Sequence, residues 1–131
     1  MMQSPIAGEF FALIDQQTIQ MHYYCQPLED KNVSTKFGMQ AMIIAQKDKG
    51  NDLATLLLEA AHLLSTNENC EMYSVQQSVT EPEKIYISEI WKNEQAHKAS
   101  LTNPAVREVI TRAMPLIVSM NATPTTYLGG K

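Results

Sequence analysis

The stretch Ile85-Tyr-Ile-Ser-Glu-Ile-Trp-Lys-Asn-Glu-Gln-Ala-His-Lys-Ala-Ser-Leu101 decides how the rest of the chain is read. Its first seven residues alternate with period two, so Ile85, Ile87, Glu89 and Trp91 share one face of a strand. Upstream, Thr80-Glu-Pro-Glu-Lys84 is a turn and Cys70 to Gln77 an extended run, which together predict a hairpin. Downstream, Asn93 is placed to cap a short helical turn through His97, and Asn103-Pro104 gives a second helix start. Val106, Val109, Ile110, Ala113 and Ile117 then recur at helical spacing, and Pro115 is expected to kink or end that helix. Asn121 to Leu128 can form a final strand, which Pro124 confines to an edge or a bulge.

Working toward the N-terminus, Phe37 to Gln46 reads as a strand and Lys47-Asp-Lys-Gly50 as a polar turn. Asn51 or Asp52 is then the expected cap of a helix that buries Leu53, Leu56, Leu57, Ala60, Ala61 and Leu64. Ser65-Thr-Asn-Glu-Asn69 breaks it, because short polar side chains compete for backbone hydrogen bonds. The order β-α-β-β-α-β over residues 37–131 predicts an α+β, ferredoxin-like domain with helices on one face of an antiparallel sheet. The other face needs cover, and a second copy related by a twofold axis supplies it, so a homodimer is expected.

Composition narrows the function classes. The 131 residues are 44% hydrophobic and 18% charged, enough for one folded domain and unlike a disordered chain. A net charge of −4 without blocks of like charge provides no footprint for nucleic acid. No run approaches membrane-spanning length and no basic secretory start precedes Lys31, so a cytoplasmic protein without a membrane partner is expected. The two cysteines, Cys25 and Cys70, lack metal-ligand spacing and are expected to be buried free thiols.

Residues 1–36 differ in texture and are read as an N-terminal extension. Ser4-Pro5 is a cap with a first-turn proline, and Ile6, Phe10, Leu13, Ile14, Met21 and Tyr24 keep broadly to one helical face. A strand from Thr18 to Cys25 is the competing reading, and Gln26 to Ser34 is a polar connection. Such an arm is expected to pack on the domain or on its dimer mate.

Residues 85–101, with Val106-Arg-Glu-Val-Ile110 and Met114-Pro-Leu-Ile117, resemble the antibiotic biosynthesis monooxygenase family, in particular its quinol monooxygenase members. The shared features are Glu-x-Trp at the end of the third strand, a polar turn, His97, the Ser-Leu pair and the Pro-Leu-Ile tail, together with Cys70-x-x-Tyr73. The resemblance covers about residues 37–120. It implies a dimeric α/β barrel that oxidises a quinol or polyphenolic small molecule with dioxygen and needs no cofactor, neither metal, flavin nor haem. The chemistry is physically reasonable, since an electron-rich phenolate can itself reduce dioxygen once a protein has deprotonated, oriented and desolvated it.

Each candidate residue has two readings. Trp91, the only tryptophan, is a wall for an aromatic substrate or a core side chain. His97 suits proton abstraction from a phenol, or is a satisfied histidine on a short turn. Glu89, on the face with Trp91, is a desolvated base or a paired structural carboxylate. Tyr73 and Tyr86 can donate to a substrate oxygen or simply pack across strands. His22 and His62 share no constellation and are expected to be structural. Some oxidising members carry Asn four residues before the Trp, where this chain has Ile87. Haem-degrading relatives carry an Asn on strand one, where this chain has none, so haem degradation is disfavoured. The alternatives to oxidation are a non-oxidative isomerase, or a small-molecule-binding or stress-associated protein on the same scaffold.

Overall fold

The first strand, β1 (Lys36–Ala45), runs through the middle of an antiparallel sheet because its inward positions are uniformly apolar. The computed structural model describes residues 35–131. The expected N-terminal helix, its alternative strand, His22 and Cys25 lie outside the described residues. With β2 (Cys70–Gln77), β3 (Lys84–Trp91) and β4 (Ile117–Tyr127), the sheet has the order β2-β3-β1-β4. All its pairs are antiparallel, so the architecture is the ferredoxin-like α+β arrangement that the element order predicts.

Register fixes which residues meet. Phe37 lies opposite Trp91, Met39 opposite Glu89, Ala41 opposite Ile87, and on the other side Ala41 opposite Ala122. Phe37, Met39, Ile43 and Ala45 of β1 and Ile85, Ile87 and Trp91 of β3 are buried beneath the helices. Leu53 and Leu57 of α1 (Gly50–Leu64) and Val109 and Ala113 of α3 (Pro104–Ala113) close over them. Leu53, Ile85, Val109 and Trp91 are essentially solvent-free, and full burial of a large apolar side chain contributes about 1.5–3 kcal/mol.

Two local expectations are corrected. The helix α1 starts at Gly50 without a side-chain cap, whereas Asn51 or Asp52 was the expected cap. Tertiary packing sets that start: a Cβ at Gly50 would lie 2.1 Å from the Pro82 carbonyl oxygen, and Asn51 Oδ1 accepts from Gln77 Nε2 at 3.0 Å. The last strand begins at Ile117 rather than Asn121, so Ile117 is a strand residue and not the end of a helix. Pro115 lacks an N–H, α3 stops at Ala113, and a single 3₁₀ turn over Met114–Leu116 redirects the chain while Ile117 stays in the core. β4 lies at the sheet edge, the position to which Pro124, opposite Met39, was expected to confine it.

Candidate active site

The site is built on the helix-covered face, at the end of β3. Glu89 and Trp91 are two residues apart on a strand and therefore project to the same side. Trp91 Nε1 donates to Glu89 Oε1 at 2.8 Å, and the indole is completely buried. Tyr73 of β2 and Met39 of β1 flank Glu89 in the same cross-strand row.

The fourth side comes from the short helix α2 (Glu94–Ser100). Its start is fixed by Asn93, whose side chain accepts from the Ala96 N–H at 2.7 Å, and this places His97 one turn later. The His97 ring is 3% exposed. Phe37 lies on one side of it, at 5.2 Å between centroids, and Trp91 on another, edge-on at 5.7 Å. The buried Ser100 hydroxyl donates to the His97 carbonyl at 2.7 Å and stiffens the turn.

His97 Nε2 lies 3.8 Å from Glu89 Oε1, too far for a direct hydrogen bond. An oxygen set to one side of the line joining the two atoms, at hydrogen-bond distance from each, could bridge them. His97 Nδ1 is buried with no hydrogen-bond partner, an unusual condition for a ring nitrogen in a protein interior.

Burial separates the charge states of this pair in opposite senses. It pushes the Glu89 carboxyl up to about 7, against the smaller stabilising effect of the Trp91 N–H. It lowers His97 to about 4, helped by the nearby Lys98 ammonium. Near neutral pH His97 is therefore uncharged and forms no salt bridge with Glu89, whose carboxyl changes charge around that range. Burial and the Glu89 charge also raise Tyr73 well above the usual phenol range. The same two causes push the Cys70 thiol up to about 11. Cys70 is a free thiol, half-buried rather than fully buried, with Sγ donating to the Met72 carbonyl at 3.6 Å.

Glu89, Trp91, His97 and Tyr73 thus line one cavity. Tyr86 does not: it is 44% exposed on the opposite side of the sheet, because it is out of phase with Glu89 on β3. His62 is exposed on α1 and remote from the cavity lining. Phe37 and Ser100, which hold His97, and Met39, beside Glu89, escape a reading of the sequence. Their only signal is phase with neighbouring apolar residues, and the register that brings Phe37 to Trp91 is not visible in a single strand. Among the described residues no group of three or more His, Cys, Asp or Glu side chains is arranged to hold a metal ion. No helix among them is long and apolar enough to cross a membrane.

Chemically, the cavity offers one carboxyl poised to lose or gain a proton near neutrality, a neutral imidazole beside it and an indole wall. Comparisons with known proteins bear on the family and the fold. The family model described as antibiotic biosynthesis monooxygenase matches residues 37–112. A protein of Chloroflexus aurantiacus described in those terms is 31% identical, with a TM-score of 0.67 over 73% of this chain and 96% of its own. One from Deinococcus radiodurans with the same description is 23% identical, with a TM-score of 0.62 over 72% and 93%. A conserved protein of Methanosarcina mazei, 17% identical, reaches 0.62 over 72% and 92%. The latter two speak to the fold alone. No curated protein matches the sequence.

Proposed function

The chain belongs to the antibiotic biosynthesis monooxygenase family, and from that premise we propose that it oxidises a quinol or polyphenolic small molecule with dioxygen in the cavity around Glu89 and His97. The observation that carries this reading is the Glu89–His97 pair, a largely enclosed carboxyl shifted toward neutrality and a buried neutral imidazole 3.8 Å away, set against an indole in a mostly apolar cavity.

In this proposal a phenolic hydroxyl bridges Glu89 Oε1 and His97 Nε2 from the cavity side, off the line that joins them. Ionised Glu89 takes the proton, and the resulting phenolate, shielded from water, passes electrons to dioxygen. For a hydroquinone the balance is a hydroxyquinone and one water: one oxygen atom enters the ring, the other leaves as water, and the substrate supplies all four electrons. Trp91 has two roles, fixing the Glu89 carboxyl through its N–H and forming an aromatic wall. Tyr73 is the further donor toward the substrate oxygen. Ile87, where some oxidising relatives have an amide, is hydrocarbon in the cavity lining, so polar assistance falls to Glu89, the next inward residue along the strand.

The proposal includes a cytoplasmic homodimer. The sheet face away from the helices carries Tyr86 and Met72, both substantially exposed, and the half-buried Met42 and Ile44. A second copy would cover these residues, consistent with an isologous interface. Tyr86 then belongs to the interface and not to the substrate.

The test is oxygen uptake by the purified protein with a panel of hydroquinones, without added metal or flavin. Stoichiometric oxygen consumption with the hydroxyquinone as product supports the proposal. Quinol consumption unaffected by removing oxygen would support the isomerase alternative instead.

A further inference from the structure

The cavity is polar at one end only. Glu89, Trp91, His97 and Tyr73 lie at the β3 exit. Ser100, the remaining polar residue nearby, has its hydroxyl engaged by the His97 carbonyl. From there the lining continues inward over Ile87, Ala41 and Ala122, and then Ile43, Met120 and Ile117, with no hydrogen-bonding side chain among them. Ile43 pairs with Ile85, four residues along β3 from Glu89, a distance of about 13 Å at the rise of an extended strand.

The paired alanines Ala41 and Ala122 keep the middle of this floor low, where a larger aliphatic residue would fill the space. Such a lining penalises any ligand hydroxyl beyond the first end, because that hydroxyl would lose its water and find no partner. It rewards hydrocarbon instead.

We propose that the ligand of this cavity is a phenol or quinol carrying a hydrocarbon substituent, with one hydroxyl between Glu89 and His97 and the apolar part lying over Ala41 and Ala122 toward Ile43. The unpartnered, buried His97 Nδ1 adds a second polar atom at the hydroxyl end and none at the other. This inference rests on the reading of the cavity as a site for an aromatic hydroxyl, and it narrows that reading: a ring hydroxylated all round is the wrong shape of polarity.

Trp91 is the only tryptophan, so its fluorescence reports occupancy directly. The experiment titrates the full-length protein, without oxygen, with phenol, 4-ethylphenol, 4-butylphenol and 1,2,4-trihydroxybenzene. Affinity should rise about fourfold for each added methylene until the far wall is met, and the trihydroxy ring should bind more weakly than 4-ethylphenol. In A122L and A41L the dependence on chain length should flatten. Affinity that does not change with chain length, or a trihydroxy ring that binds more tightly than the alkylphenols, would overturn the inference; both are measured on the unaltered protein and do not depend on the variants folding. An unchanged chain-length slope in a folded A122L would also overturn it, since the substituent would lie elsewhere. Binding is read apart from turnover. Failure of every alkylhydroquinone to consume oxygen, with the affinity series intact, would refute the oxygenase reading and support this one.

Discussion

The two faces of the same sheet are built from alternate residues of the same strands and carry opposite chemistry. On the covered face Glu89 is enclosed, bonded to a solvent-free indole and shifted toward neutrality. One residue away, Ser88 is on the open face, where its hydroxyl donates to the Gln40 side chain at 3.0 Å. Tyr86 on that face is nearly half exposed. The difference shows that strand phase, and not residue type, separates a buried group with a shifted proton affinity from an ordinary surface group. A tyrosine and a glutamate three residues apart on β3 have unrelated roles because they differ in parity.

The largest effect that would break this contrast concerns Trp91. Trp91→Ala should cost about 3–5 kcal/mol, as large aromatic truncations in a core do, while Tyr86→Ala should cost the protomer about 1 kcal/mol or less. Urea unfolding of both variants at a protomer concentration below dimerisation checks this. Comparable losses would mean that the faces are not energetically distinct.

The next effect sharpens the contrast through pH. Glu89 is raised on folding, so the stability linked to it is fully present below its ordinary value near 4.5 and is lost as pH rises through about 7. His97 is lowered, so its contribution is present above its ordinary value near 6.5 and is lost as pH falls through about 4. Each is linked to about 3 kcal/mol, at about 1.4 kcal/mol for every pH unit between folded and ordinary values. Between pH 4.5 and 6.5 the two slopes oppose each other, and Glu89 and His97 together add little net pH dependence. Glu89→Gln removes one of them, so the variant's stability should climb by about 3 kcal/mol from pH 4 to 6.5 relative to the unaltered protein. Denaturant midpoints measured across that range decide the matter, and parallel profiles for the two proteins would show that Glu89 is not desolvated. Tyr73 and Cys70, both raised, do not titrate in this window.

The smallest effect belongs to the open face. Tyr86→Lys should weaken the homodimer about tenfold or more, roughly 1.4 kcal/mol, and leave the pH profile of the covered face unchanged. Sedimentation velocity across a dilution series reads it, and unaltered association would place the interface elsewhere.

Much of this was legible in the chain itself. The period-two run through Ile85, Ile87, Glu89 and Trp91, the Asn93 and Asn103 caps and the Leu53–Leu57 stripe are local signals, and local hydrogen bonding and burial produce the corresponding elements. Glu89, Trp91, His97 and Tyr73 carried enough local character to be singled out, and the fold brings them together. What escaped depends on tertiary contact. The Gly50 start of α1 is dictated by the Pro82 carbonyl 32 residues later. The early start of β4 reflects Pro115 and the equal fitness of Ile117 for a helix face or a strand face in the core. Tyr86 was grouped with the site on residue type alone, against its own parity on β3. The aromatic contact of Phe37 with His97 follows from cross-strand register, which no single strand encodes.

The central claim is that Glu89 accepts the substrate proton in the covered cavity, and the pH dependence of oxygen uptake tests it most directly. With an alkylhydroquinone at low concentration, kcat/KM of the unaltered protein should rise with pH and level off above about 7, as Glu89 ionises. Glu89→Gln should lower the rate about 10²–10⁴-fold, as loss of a general base does, and should abolish that rise. A Glu89→Gln protein that keeps both its rate and the inflection near 7 would contradict the account.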